Sequence, residues 1–138
     1  MTILFDTNVV LDVLLDRTPY AESAARLFGH VERGGLAGML TSTTVTTVYY
    51  VGRKEVGDGV ARAGIQRLLD LFAMAPVYRS ALQAALDSGF HDFEDAVLHE
   101  AARQARADGI VTRNADDFTA ATLTIYTPAE LLQALRPS

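Results

Sequence analysis

The sequence contains no cysteine, which excludes both a disulfide framework and a zinc site built from thiolates. It also has no apolar run close to the roughly 20 residues that a membrane-spanning helix needs. Asp6 interrupts the first apolar run, so no signal peptide is expected. These absences predict a protein of the reducing cytoplasm that does not enter a membrane.

Basic charge is scarce as well, and the formal net charge is −5. A protein coated in basic charge for non-specific DNA binding is therefore excluded, whereas an acidic site that needs a metal is not. All but one of the 12 basic residues are arginines, so a phosphate contact is expected to be an arginine fork. The 138 residues, 49% of them hydrophobic, predict one packed domain over 1–138.

The most informative stretch runs from Ile3 to Asn8, where three apolar residues lead directly into Asp6. Such a short, continuously apolar run is typical of a strand buried on both faces of a parallel sheet. Ligands of open α/β sheets bind beyond the carboxyl ends of the strands, where Asp6 would lie. A carboxylate buried there requires a cation or several hydrogen-bond donors.

Strand and helix patterns alternate along the whole chain, which predicts a three-layer α/β/α sandwich around a mainly parallel sheet. The predicted strands cover 3–5, 36–41, 75–78, 110–112 and 123–126. The predicted helices cover 20–31, 43–54, 60–72, 81–87, a segment from 92 to before 109, and 128–135. The segment 43–54 is rich in β-branched residues, but parallel strands need a crossover between them, so a helix is expected.

Side chains that begin helices can also be predicted. Thr18, Ser42 and Ser80 are candidate N-caps, and 57–59 reads as a loop. Thr127 and Glu130 form the pattern of a capping box.

Acidic residues stand at the ends of two predicted strands and at the start of one helix. Asp6 follows the first strand, and Asp116 and Asp117 follow the fourth. Asp92 and Asp95 open a helix one turn apart, on one face. If the first and fourth strands are neighbours, Asp6 and Asp117 converge on one crevice.

Three converging carboxylates stay ionised only with a cation between them. Carboxylate oxygens select Mg²⁺ or Mn²⁺ over zinc, and such a site suits phosphoryl chemistry. Structural alternatives remain for each acid. Asp6 reads equally as a turn former, Asp92 as an N-cap, Asp95 as a partner of the helix dipole, and Asp116 as a solvated residue.

In combination, three segments resemble the PIN domain family of the VapC toxin type: Phe5–Asp12, Asp92–Ala96, and Val111–Asn114 followed by Asp117. Their order and spacing cover nearly the whole chain. The resemblance implies an α/β/α sandwich and an endoribonuclease that depends on Mg²⁺ or Mn²⁺. It also implies the toxin half of a toxin–antitoxin pair, silenced by a small antitoxin, and a homodimer.

The resemblance implies roles for individual residues. Asp6, Asp95 and Asp117 match the metal-binding acids of the family. Asn114 stands where many members have Asp, and would orient water or a carboxylate. Thr47 stands about where many members have a helical Glu, so the site is expected to hold one metal more weakly or to recruit a further acid, Asp12 or Asp92.

Arg113, Arg17 and Asn8 are candidate substrate-binding residues beside the acids. A salt bridge from Arg113 to Asp116 or Asp117 is an equally open alternative. His99 lies one helical turn after Asp95, where a metal ligand is one interpretation and a surface or supporting position is the preferred one.

Three function classes therefore remain. The first is the metal-dependent ribonuclease. The second is a PIN-like RNA- or protein-binding module with weak or lost nuclease activity, which the residues Thr47 and Asn114 favour. The third is a phosphotransfer domain, which is weakest because Asn8 and Lys54 do not stand where such domains need Asp and Lys.

Overall fold

Five parallel strands form the central sheet of the computed structural model, which describes residues 1–137. Their order is β3-β2-β1-β4-β5, and all four ladders are parallel. The strands are β1 (Thr2–Phe5), β2 (Ala37–Thr41), β3 (Ala73–Ala75), β4 (Gly109–Val111) and β5 (Thr124–Tyr126). The chain changes direction across the sheet between β1 and β4, so the predicted neighbourhood of the first and fourth strands is confirmed.

Seven α-helices flank this sheet within residues 1–137. They are α1 (Thr7–Leu14), α2 (Ala21–Glu32), α3 (Ser42–Val56), α4 (Asp58–Leu71), α5 (Arg79–Leu86), α6 (Phe93–Gln104) and α7 (Pro128–Ala134). A 3-10 turn, Ala115–Phe118, follows β4. The predicted three-layer α/β/α sandwich is confirmed, including a helix over the β-branched segment of α3.

β1 lies at the centre of the molecule, and Ile3, Leu4 and Phe5 are fully buried. Because successive side chains of a strand point to opposite faces, β1 contributes to two cores. Ile3 and Phe5 pack with α1, α2, α3, α4 and α7, whereas Leu4 packs with α6 and β4. Phe5 meets Phe28 and Phe72 edge to face, at centroid distances of 5.9 and 5.0 Å. These contacts fix the strand that carries Asp6.

Three local predictions are wrong in detail. The third strand is β3, Ala73–Ala75, rather than 75–78, and α4 begins at Asp58 inside the predicted loop. Thr18 does not cap α2, because Thr18 and Pro19 lie in a turn and the helix begins at Ala21. Threonine before proline favours a turn as strongly as a helix start, which is why the signal misleads.

Of the other predicted caps, Ser42 and Ser80 are wrong and Thr127 is confirmed. Thr41 rather than Ser42 caps α3, since its Oγ1 accepts a hydrogen bond from the Thr44 amide at 3.2 Å. Ser80 lies inside α5, which begins at Arg79 without a side-chain cap. The capping box of Thr127 and Glu130 is confirmed, with both reciprocal bonds formed.

Candidate metal centre

Asp6 lies where β1 ends and α1 begins, and its side chain is only 6% exposed. The Thr7 amide donates to Asp6 Oδ1 at 2.7 Å, and the Thr112 hydroxyl donates to Asp6 Oδ2 at 2.7 Å. Each carboxylate oxygen therefore accepts one hydrogen bond and retains lone-pair capacity for a further partner. The carboxylate is held in one orientation at the carboxyl edge of the sheet.

Thr112 follows β4 directly, and the register of the ladder brings it beside Asp6, because Phe5 pairs with Val111. The Thr112 Oγ1 in turn accepts a hydrogen bond from the Asn114 amide at 3.1 Å. A chain of bonds thus runs from Asn114 through Thr112 to Asp6. It couples the loop after β4 to the end of β1.

The charges around Asp6 are largely negative. Burial raises the pKa of Asp6, the hydrogen bonds from Thr112 and Thr7 lower it, and the charges of Asp117 and Asp92 raise it again. The pKa of Asp6 is therefore raised by one acid from each of the other two acidic segments, Asp92 and Asp117.

Asp95 lies in the first turn of α6. Its amide donates to Asp92 Oδ1 at 2.9 Å, which confirms Asp92 as the N-cap. Burial and then the charges of Asp6, Asp92, Asp117 and Glu94 raise the pKa of Asp95 to about 7. A carboxyl group with so high a pKa is in an acidic, partly desolvated crevice that favours either a proton or a cation.

Asp117 belongs to the 3-10 turn, where its amide donates to the Asn114 carbonyl at 2.9 Å. Its side chain is exposed, and its charge acts on both Asp6 and Asp95. The charges of Asp6 and Asp117 therefore act on neighbouring acids, and we call the region of Asp6, Asp95 and Asp117 the acidic crevice. Asn114 lies in the same loop, with its side chain exposed.

Among residues 1–137, no three acidic or histidine side chains are grouped closely enough to hold a metal ion as they stand. Mutual repulsion between carboxylates disfavours a tight group. The donors are nevertheless hard oxygens under like-charge repulsion, and a divalent cation would relieve that repulsion. The residues fit Mg²⁺ or Mn²⁺ better than a softer metal.

Glu94 is a residue that the sequence analysis missed. Burial raises its pKa, as do the charges of Asp6 and Asp92. Glu94 and Thr47 line the same cavity, of about 340 Å³, together with Thr43 and Val97. The signal was present in the sequence, because Glu94 adjoins Asp95 and α3 offers no acid in the Thr47 region.

Hydroxyl groups rather than carboxylates join α1 to α3. The Thr7 and Thr44 hydroxyls lie 2.8 Å apart, and the Thr41 hydroxyl donates to Thr44 Oγ1 at 3.3 Å. Thr41 and Thr44 are fully buried. Their network fixes the distance between the amino end of α3 and the Asp6 loop.

Arg113 does not pair with Asp116 or Asp117, so that alternative is wrong. It pairs with Asp12, with Nε 2.8 Å from Oδ2 and Nη2 3.1 Å from Oδ1. Arg17 Nη1 lies 3.8 Å from the same carboxylate. Burial raises the pKa of Asp12, while Arg113 and Arg17 lower it. Asp12 is thus occupied by arginines rather than assisting the metal-binding acids.

Two other candidates differ from expectation. His99 is 2% exposed, so a surface position is wrong; its Nε2 accepts a hydrogen bond from the Thr122 amide at 3.0 Å. Burial lowers its pKa. These contacts mark His99 as a core residue that anchors the segment before β5. Asn8 lies in the first turn of α1, and its Oδ1 is buried without a hydrogen-bond partner within residues 1–137.

The sequence profile of the PIN domain family matches residues 2–116. The chain belongs to the PIN domain family. No curated protein matches it significantly. Within residues 1–137, no helix has the length and apolar character needed to cross a membrane.

Solved structures show the same PIN fold at low sequence identity. A VapBC2 structure from Rickettsia felis, bound to a promoter DNA fragment, has a TM-score of 0.72 at 11% identity and covers 92% of this chain and 98% of its own. FitAcB from Neisseria gonorrhoeae has a TM-score of 0.69 at 19% identity and covers 94% and 99%. VapC20 from Mycobacterium tuberculosis, described as a toxin that cleaves the sarcin–ricin loop, has a TM-score of 0.64 at 15% identity and covers 78% and 86%.

Proposed function

We propose that this PIN domain is a Mg²⁺- or Mn²⁺-dependent endoribonuclease of the VapC type. The observation that carries the proposal is that the charge of Asp117 raises the pKa of Asp6 and that the charges of Asp6 and Asp117 raise the pKa of Asp95, although the three acids come from distant segments. The sarcin–ricin loop cleavage ascribed to the similar VapC20 supports RNA as the substrate. The protein would act in the cytoplasm as one domain.

Asp6, Asp95 and Asp117 would hold the ion in this proposal. A bound Mg²⁺ or Mn²⁺ would supply Lewis-acid chemistry for hydrolysis of a phosphodiester. The Thr112 hydroxyl and the Thr7 amide hold the Asp6 carboxylate in one orientation. Asn114 would supply an uncharged amide, whose oxygen accepts a hydrogen bond from water and whose NH2 group donates to a carboxylate.

Glu94 takes the part of the acid that α3 lacks. It borders the cavity that Thr47 also lines, and the charge of Asp6 acts upon it. A carboxylate delivered from α6 across this cavity would bring the crevice to four acids. This arrangement would compensate for the charge that is missing at Thr47 and Asn114, where many members of the family have acids.

A cognate antitoxin is the proposed partner, and a homodimer the proposed state. Support for the antitoxin comes from a similar solved structure, a toxin–antitoxin complex from Klebsiella pneumoniae. Between α3 and α4 lies a groove of about 440 Å³ lined by Tyr49, Tyr50, Ile65 and Leu69. An amphipathic helix of an antitoxin would bury this apolar surface.

The second candidate is a PIN-like binding module with weak or lost turnover. It is favoured by the residues Thr47 and Asn114, and by the lack, within residues 1–137, of three acidic or histidine side chains grouped closely enough to hold a metal ion. The two candidates differ in whether the crevice acids support catalysis.

RNA cleavage by purified protein separates them. We expect cleavage with Mg²⁺ or Mn²⁺, none with EDTA, and a loss of at least about 100-fold in Asp6→Asn. Asp116→Asn, which changes an exposed acid next to Asp117 in the 3-10 turn, is the control and should cleave normally. Metal-independent cleavage, or equal cleavage by Asp6→Asn, would refute the nuclease proposal.

A further inference from the structure

A second pocket lies beside the acidic crevice, with a volume of about 290 Å³. The loop after β4 joins the two, since Arg113 and Asn114 line the pocket while the Asn114 amide reaches Asp6 through Thr112. This volume is just below the roughly 300–1,000 Å³ of ligand pockets, which suits a single small planar group. Besides Arg113 and Asn114, the lining includes Tyr20, Ser23, Thr127 and Pro128.

Two flat groups form part of the lining. The guanidinium carbon of Arg113 lies 4.0 Å from the centroid of the Tyr20 ring, so the two groups stack. Tyr20 remains 44% exposed. Unstacked bases of single-stranded RNA bind against aromatic rings and guanidinium planes. Asn114 and Thr127 add polar groups that suit the edge of a base.

The group formed by Arg113, Arg17 and Asp12 beside this pocket carries a net positive charge, although the neighbouring crevice is acidic. Asp12, 1% exposed, faces both Arg113 and Arg17, so one carboxylate meets two guanidinium groups and one positive charge is in excess. Asp12 fixes the Arg113 guanidinium through two contacts, while Arg17 makes only one, at 3.8 Å. Arg17 is therefore the arginine most free to turn towards a phosphate.

We propose that this pocket is a nucleotide subsite, in which one base of a single-stranded RNA lies against the Tyr20–Arg113 pair and its phosphate contacts Arg17. The subsite rests on the proposed ribonuclease function, because it would place the adjoining phosphodiester at the crevice of Asp6. It assigns Tyr20 and Arg113 to base stacking and Arg17 to phosphate binding.

Binding of a short fluorescein-labelled single-stranded RNA, followed by fluorescence anisotropy in EDTA, tests the subsite without cleavage. Asp6→Asn protein serves as the background in every sample. Tyr20→Ala should weaken binding about 10-fold, within the range of one lost base-stacking contact, and Tyr20→Phe should restore it. Tyr78→Ala, which removes another exposed tyrosine at the start of α5, is the control and should bind normally.

Arg17→Gln tests the phosphate contact separately. We expect weaker binding and a fall of about 1 in the slope of log affinity against log salt. Arg26→Gln, on the exposed face of α2, should leave both unchanged. Circular dichroism of each variant confirms that the fold is retained.

The outcomes separate the two proposals. RNA binding that depends on Tyr20 and Arg17, without cleavage by the wild type, would support the subsite and refute the nuclease. Metal-dependent cleavage with unchanged RNA binding in Tyr20→Ala and Arg17→Gln would refute the subsite and leave the nuclease standing. A lack of RNA binding in all samples would overturn the subsite.

Discussion

The Thr112 hydroxyl donates a hydrogen bond of 2.7 Å to Asp6 Oδ2, although 106 residues separate the two in the chain. The bond exists because β1 and β4 are neighbours, so that the residues after both strands meet at one edge of the sheet. It fixes the orientation of the acid on which the proposed metal centre depends. Groups that orient a metal ligand are commonly almost as important as the ligand itself.

Thr112→Val removes this bond while keeping a side chain of similar shape. We expect metal affinity and RNA cleavage to fall about 10- to 100-fold, because Asp6 loses the donor that orients it. Thr112→Ser should restore both, since it retains the hydroxyl. Thr124→Val, at the exposed first position of β5, is the matched control. Normal activity in Thr112→Val would show that Asp6 does not need this support.

Glu94→Gln tests whether α6 supplies the acid that α3 lacks. We expect Mn²⁺ affinity and cleavage to fall on the order of 10-fold, because affinity for hard cations follows the number of charged ligands. Thr47→Glu in the Glu94→Gln background should recover part of the loss, as both residues line one cavity. Glu22→Gln on α2 should change neither quantity. Equal Mn²⁺ affinity in wild type and Glu94→Gln would contradict this role.

The pKa of Asp95 makes stability depend on pH in a defined direction. Its folded pKa of about 7 exceeds the ordinary 3.8, so between these values the folded state binds more protons than the unfolded state. In EDTA this group therefore lowers the free energy of unfolding as the pH rises from about 4 to about 7. Asp95→Asn should abolish that part of the slope and raise the melting temperature by roughly 3 °C at pH 8.

Thermal unfolding of both proteins from pH 4 to pH 8 measures the effect. Mn²⁺ should narrow the difference at pH 8 by stabilising the wild type. An identical pH dependence in the two proteins would contradict the high pKa of Asp95. Asp116→Asn should follow the wild type.

Gly38 lies where β2 passes Phe72. A Cβ there would lie 2.5 Å from Phe72 Cε1, in the core that also contains Phe5. Gly38→Ala should therefore lower the free energy of unfolding by about 2 kcal/mol, which urea denaturation measures. Phe72→Leu should relieve part of the crowding in the double variant. A Cβ at Gly59 in α4 would have no atom within 4 Å. Gly59→Ala should therefore raise the free energy of unfolding by about 0.5 kcal/mol.

The sequence predicts the sheet well, because its strands follow from local patterns. Ile3 to Phe5 are apolar without alternation since β1 is covered on both faces, and Asp6 then lies at its carboxyl end. The acids of α6 lie on one turn of a helix, whose period the sequence shows.

Long-range pairing could not be predicted in the same way. Arg113 and Asp12 are 101 residues apart, and nothing near Arg113 in the sequence marks Asp12 rather than the adjacent Asp116 as its partner. His99 likewise reads as a surface residue until the Thr122 amide is seen to bond its ring. In both cases the partner comes from another element, and only the packing of the sandwich brings it close.

Mn²⁺ binding by the purified protein, followed by isothermal titration calorimetry, tests the central claim most directly. The account predicts that the wild type binds Mn²⁺ and that Asp6→Asn, Asp95→Asn and Asp117→Asn each weaken binding at least about 10-fold, whereas Asp116→Asn does not. A wild type that binds no Mn²⁺, or three variants that all bind it as tightly as the wild type, would contradict the account.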